Sequence, residues 1–315
     1  MRRALVVGID AYPFGPLSGC VSDARRLGAL LRRNEDDTPN FDVVEQLVPP
    51  EDLTRGGLRE AIHELFTHEA DVALFYFAGH GTETNLDGYI VTPDAARYDD
   101  GVSMTDILRE ANESRAHEVV ILLDSCHSGA LGQLPASGGN LAHLREGISI
   151  LTAARATQAA VEAGDGGLFT GLLCSALEGG AADVLGSITA ASLYAYVDQS
   201  LGSWDQRPLL KAHVARLIPL RRAQPAVPLD VLRRLREWFP DAQYEFPLDP
   251  SFEPDAEPHD AEREQIFGQL QQCRAAKLIE PVGEEHMYFA AMNSTACRLT
   301  ALGRHYRRLA EDGRV

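Results

Sequence analysis

Short, continuously apolar runs alternate along the first two-thirds of the chain with segments whose apolar residues recur every three or four positions. The runs are Ala4 to Gly8, Val72 to Ala78, Val119 to Leu123 and Ile148 to Thr152. Apolarity without alternation marks strands covered on both faces. Val21, Ala24, Leu27, Leu30 and Leu31 share one helical face, as do Leu58, Ala61, Ile62 and Leu65, so helices are predicted over 21–33 and 54–66. A weaker strand at 43–47, helices at 168–177 and 190–201 and a last strand at 212–218 continue the pattern. Strands alternating with helices predict an α/β domain over residues 1–220, a mostly parallel sheet sandwiched by helices.

Beyond Leu220 the pattern changes. Residues 221–228 hold two prolines and no periodicity and read as a linker. Residues 229–315 predict a small α+β module: helices at 229–239 and 261–277, an acidic, proline-rich connector at 246–260, a strand pair at 287–292 and 297–299, and a final helix at 300–309. That order resembles a winged helix-turn-helix, which would serve regulation or interaction.

Composition narrows the partners. The chain has 315 residues and a net charge of −17, a field that repels nucleic acid and anionic lipid, so neither is an expected partner. After Arg222 acidic residues still outnumber basic ones, and Arg298, Arg304, Arg307 and Arg308 read as a solvated face, so the module is expected to bind protein rather than DNA. No apolar run reaches membrane-spanning length and no leader with a cleavage site is evident, which predicts a soluble, cytoplasmic chain. Five cysteines, none in a C-x-x-C pair, suit a reducing compartment and argue against a disulfide frame or zinc knuckle.

Two of the best strands end in reactive residues. Leu74 to Ala78 runs into Gly79-His80-Gly81, and Ile121 to Leu123 into Asp124-Ser125-Cys126-His127-Ser128-Gly129. In open α/β sheets ligands bind beyond the carboxyl ends of the strands, and neighbouring parallel strands would bring His80 and Cys126 to one edge. A thiol attacks as thiolate and an imidazole can take its proton, which is what acyl transfer to cysteine needs. The flanking glycines would let the N–H groups of Gly81 and Cys126 converge on an oxyanion. Cys20, Cys174, Cys273 and Cys297 read as structural.

These two segments, Tyr76-Phe77-Ala78-Gly79-His80-Gly81 and Asp124 to Gly129, resemble the paired signatures of the caspase and metacaspase clan of cysteine peptidases. Gly8-Ile9-Asp10-Ala11-Tyr12, Leu17 to Ala24, Asp87-Gly88-Tyr89 and Gly167-Leu168-Phe169-Thr170 fall in the family's order, so the likeness covers about residues 4–218. The resemblance implies endopeptidase activity with His80 and Cys126 as the dyad. It also implies that Asp23, together with Asp124, lines the pocket for the residue before the cleaved bond, and two carboxylates favour Arg or Lys there.

Many relatives require calcium. Asp94, Asp106 and Asp99-Asp100 lie in the corresponding stretch, but Ser103-Met104-Thr105-Asp106 lacks the usual adjacent acids, so no cofactor is expected and calcium dependence should be weak or absent. The glycine-rich segment 130–147 follows the cysteine, and Arg145 and Arg155 are candidate processing sites for the enzyme itself or an activating protease. The expected function is cleavage of proteins after Arg or Lys in a regulated bacterial defence or cell-death cascade. The alternative is a catalytically silent scaffold or regulator acting through its C-terminal module.

Overall fold

The computed structural model describes residues 1–48, 53–84, 87–96, 101–125, 143–153, 162–163, 166–201, 208–255 and 259–315. They form two compact units, one of residues 1–182 and 187–224, the other of 183–186 and 225–315.

The first unit begins β1 (Arg2–Ile9), α1 (Cys20–Arg32), β2 (Asp42–Val48), α2 (Arg55–Thr67), β3 (Val72–Ala78), β4 (Gly81–Glu83), β5 (Gly88–Ile90) and β6 (Val102–Ser103). It continues α3 (Met104–Glu113), β7 (Glu118–Asp124), β8 (Ile148–Thr152), β9 (Glu162–Ala163), β10 (Gly166–Gly167) and α4 (Leu168–Ser175). A π-helical turn (Ala176–Gly180), β11 (Ser187–Ile188), α5 (Ala190–Leu201), β12 (Leu209–His213) and β13 (Arg221–Arg222) complete it.

The main sheet has the order β12-β8-β7-β3-β1-β2, parallel except for β12, which runs against β8. Its central strands β1, β3, β7 and β8 carry buried apolar runs because both faces are covered there, whereas the edge strands β2 and β12 include polar and exposed residues. Leu5, Val7, Phe75, Phe77, Val119 and Ile121 pack toward α2 and α3, while Val6, Leu74, Tyr76, Val120 and Leu122 pack toward α1, α4 and α5. The expected parallel sandwich is therefore present. The last strand lies at 209–213 rather than 212–218, and the predicted helix at 168–177 ends in the π turn. The structure adds α3 and the small antiparallel sheet β4-β5-β6 to the predicted elements.

Residues 221–222 are not linker. They form a strand paired with 187–188, and the buried Arg221 side chain donates to the carbonyls of Leu30, Arg33 and Leu177, which fastens it into the first unit.

The second unit comprises α6 (Leu229–Trp238), β14 (Glu245–Pro247), a 3-10 turn (Pro250–Phe252), α7 (Ala261–Ala275), β15 (Ile279–Val282), α8 (Met287–Met292), β16 (Ala296–Leu299) and α9 (Ala301–Glu311). Its sheet has the order β14-β16-β15, antiparallel throughout. Two expectations are corrected. The acidic connector at 246–260 contributes a strand, and Leu248 and Phe252 are buried in the unit's core. Residues 287–292 are a helix rather than the first strand of a hairpin, because Met287, Ala290 and Ala291 are buried while Tyr288, Phe289 and Met292 are exposed, a helical period. The strand pairing with β16 is β15 instead.

Candidate active site

β3 and β7 are parallel neighbours, with Ala78 opposite Asp124. The Gly79 N–H donates to the Asp124 carbonyl at 3.3 Å, joining the ends of the two signature segments. His80 thus emerges two residues past the last pair of β3. Cys126, two residues past that pair on the β7 side, lies outside the described residues, as do His127 and Arg155.

The loop after β1 fixes His80. Its Nε2 lies 2.6 Å from the Gly15 carbonyl oxygen. A carbonyl only accepts, so Nε2 carries the proton and Nδ1 is the nitrogen left to act as base. The Tyr12 ring packs on the imidazole with centroids 4.5 Å apart, and Phe14 lies 6.2 Å away. The buried Tyr12 hydroxyl also stands inside the β4–β5 pairing. It accepts the His80 backbone N–H at 3.0 Å and donates to the Val91 carbonyl at 3.2 Å, while the Val91 N–H reaches the His80 carbonyl directly at 2.9 Å. Gly79 is glycine for this reason: a Cβ there would fall on the Tyr12 hydroxyl.

Antiparallel pairs alternate between bonded and non-bonded positions. With His80 and Val91 as a bonded pair, Gly81 opposite Ile90 is the non-bonded one, and its N–H turns away from β5 on the open side of edge strand β4. That orientation suits an oxyanion donor.

The carboxylates gather around Gly167, the residue preceding α4. Its N–H donates to Asp23 Oδ2 at 2.7 Å, and a Cβ at this position would come within 2.5 Å of Asp124 Oδ2 and 3.3 Å of Asp23 Oδ2. Thr170, in the first turn of α4, donates to Asp124 Oδ2 at 2.6 Å. Asp23 sits in the first turn of α1, whose start is held by Asp10, the residue after β1, which accepts the N–H groups of Cys20 at 2.9 Å and Val21 at 3.3 Å. Two helix N-termini thus favour negative charge here. Even so, burial, and then the charges of Asp124 and Asp10, push the Asp23 carboxyl up to about 6, against the opposing pull of the Gly167 N–H and Arg26.

Residues 1–218 match the caspase domain family along their whole length. The chain belongs to that family. Metacaspase-1A of Aspergillus niger is 27% identical over 154 residues, which are 42% of this chain and 37% of that protein. Metacaspase-1 of Botryotinia fuckeliana is 26% identical over 154 residues, 42% of this chain and 36% of that protein. The match therefore spans little more than a third of these fungal relatives. A crystal structure of a Geobacter sulfurreducens protein superposes with a TM-score of 0.51 at 18% identity, covering 71% of this chain and 98% of that one, which bears on the fold alone.

Other sequence candidates in the caspase domain have different tasks. Both oxygens of Asp94 accept the Arg55 N–H at 3.1 Å at the start of α2, and Asp106 pairs with Arg59 at 3.4 Å and Arg109 at 3.3 Å. Asp87 accepts from Ser103, from the Thr105 hydroxyl at 3.0 Å and from the Gly88 N–H at 2.8 Å. No cluster of three metal-ligating side chains occurs among the described residues, and Asp99 and Asp100 lie outside them. Arg145 is not brought to the cleft. Its guanidinium donates to the carbonyls of Glu146 and Ala116 at 2.7 Å each, and its N–H to Asn112 Oδ1 at 2.7 Å, the anchoring of a structural residue.

Burial pushes the Cys174, Cys273 and Cys297 thiols up to about 12. Burial and Asp10 push Cys20 higher still, so all four stay protonated and poorly nucleophilic. Among the described residues no helix is long and apolar enough to cross a membrane.

Sequence reasoning named His80, Gly81, Asp23 and Asp124 but missed Tyr12, Gly15, Asp10 and Thr170 as site residues. Tyr12, Asp10 and Thr170 stood in segments that follow the family order, and that was their only signal. Gly15 acts through its main chain, which no side-chain pattern reveals.

Proposed function

We propose that this caspase domain is a cysteine endopeptidase cleaving after Arg or Lys, with Cys126 as nucleophile and His80 as its general base. The observation that carries the reading is the Nε2 contact of His80 with Gly15, which leaves Nδ1 as the proton acceptor at the end of a strand in register with the one leading to Cys126. Nδ1 takes the thiol proton, and the thiolate adds to the scissile carbonyl carbon. The N–H groups of Gly81 and Cys126 hold the resulting oxyanion. The C–N bond then breaks as the imidazolium returns its proton to the leaving amine. Water, deprotonated by the same imidazole, finally hydrolyses the thioester.

Asp23 and Asp124 support the preference for a cation. Both lie within reach of one atom placed at Gly167, and burial together with the neighbouring Asp124 charge raises the Asp23 carboxyl. A guanidinium or ammonium would lower the cost of holding two carboxylates together. The test is a positional peptide library offered to the purified chain and to its Cys126→Ala variant. The reading expects cleavage after Arg and Lys by the first and none by the second. Preference for an acidic residue, or cleavage surviving the substitution, overturns it.

A further inference from the structure

Asp124 is reached by a buried hydroxyl chain that starts in the middle of the sheet. The Tyr76 hydroxyl lies 2.7 Å from Thr170 Oγ1, and Thr170 Oγ1 lies 2.6 Å from Asp124 Oδ2. Tyr76 is fully buried on β3 and Thr170 is 1% exposed on α4, so no water competes for these groups. An ionised carboxylate can only accept. Thr170 therefore spends its one proton on Asp124, and in the second bond Tyr76 must be the donor. Each bond polarises the next, so the chain strengthens toward the carboxylate. Asp23 accepts from a main-chain N–H, that of Gly167, whereas one of the donors to Asp124 is a side chain that substitution can remove.

We propose that Thr170 is a specificity-determining residue: its hydroxyl, backed by the phenol of Tyr76, orients the Asp124 carboxylate to receive the cationic side chain of the substrate. The inference rests on the reading of Asp23 and Asp124 as the pocket for Arg or Lys. Thr170 acts as a positioning residue, through Asp124 and without touching the substrate. Serine preserves the donor at this site; valine preserves the shape and removes the donor.

The test measures binding, so that it does not depend on turnover. The full chain carrying Cys126→Ala is titrated with matched peptides that have arginine or its neutral isostere citrulline before the scissile bond. With Thr170 present, the arginine peptide binds at least about tenfold more tightly. Thr170→Val reduces that preference about five- to tenfold, the effect of losing one hydrogen bond to a charged group, and Thr170→Ser restores it. Tyr76→Phe shifts the preference the same way and adds nothing in the Thr170→Val background.

An arginine preference unchanged by Thr170→Val overturns the proposal and leaves the pocket assignment standing. Equal weakening of both peptides also overturns it, since that is the behaviour of a structural residue. No arginine preference with Thr170 present removes the pocket assignment and the proposal together. Thermal melts check folding, and if the valine variant does not fold, Tyr76→Phe decides by the same comparison.

Discussion

Gly167 and Asp23, 144 residues apart in sequence, are joined by a 2.7 Å bond from the backbone N–H to the carboxylate, and this single donor does not offset the cost of burying that charge beside Asp124. The consequence is a pH dependence of known sign. The Asp23 carboxyl rises from 3.8 to about 6 on folding. The folded state therefore holds this proton more tightly than the unfolded one, a contribution present in full below pH 3.8 and lost as the pH rises through 6. Asp23→Asn keeps an acceptor for Gly167 and removes the charge. It should stabilise the protein at pH 8 by about 1 kcal/mol, a value reduced for the partial exposure of the group, with the gain vanishing toward pH 4. Thermal melts of both proteins across this range are the check, and a difference independent of pH counts against the burial of this charge.

The same group should govern substrate binding. As the pH falls through about 6, protonation of Asp23 removes half of the pocket's charge, so KM for arginine peptides should rise while that for citrulline peptides stays level. Steady-state kinetics from pH 5 to 8 would reveal it.

Gly167→Ala places a methyl group against both carboxylates, 2.5 Å from Asp124 and 3.3 Å from Asp23. The carboxylates must move apart, and the expected result is a loss of about tenfold or more in kcat/KM for arginine peptides, since displacements of this size misplace a bound group. Wild-type kinetics in this variant would show that the pocket lies elsewhere.

Tyr12→Phe removes the hydroxyl between the His80 N–H and the Val91 carbonyl. Two backbone groups lose a partner, which should cost about 1–3 kcal/mol of stability. The imidazole loses its alignment as well, so kcat should fall while KM changes little. Denaturant melts beside kinetics separate the two effects.

Calcium should leave activity unchanged within about twofold, because the oxygens of Asp94 and Asp106 are committed to Arg55, Arg59 and Arg109, and a weak, partly satisfied site gives little binding energy. Assays with chelator and with millimolar calcium test this. Strong activation would place the ligands among other residues.

The main sheet was legible because strands buried on both faces carry uninterrupted apolar runs, as Val72 to Ala78 does. His80 and Asp124 could be singled out because their segments follow those runs directly, whereas Asp23 was indicated only by the family resemblance of Leu17 to Ala24. Tyr12 and Thr170 were not, since their roles exist only once β1 and α4 are folded against β3 and β7. In the second unit, Met287 to Met292 is too short for apolarity alone to separate strand from helix. The strands at 245–247 and 279–282 were hidden by Pro247 and Pro281, residues that ordinarily argue against a strand. Both belong to edge strands, where a missing donor is tolerated.

Those prolines have an effect of their own. The three-stranded sheet of the second unit ends on one side at β14 and on the other at β15, three and four residues long, the first ending in a proline and the second interrupted by one. An incoming extended segment would find few amide hydrogens along either border and too short a template to register on. Strand addition is thus disfavoured at both borders of this sheet, so its short edges offer little for edge-to-edge association.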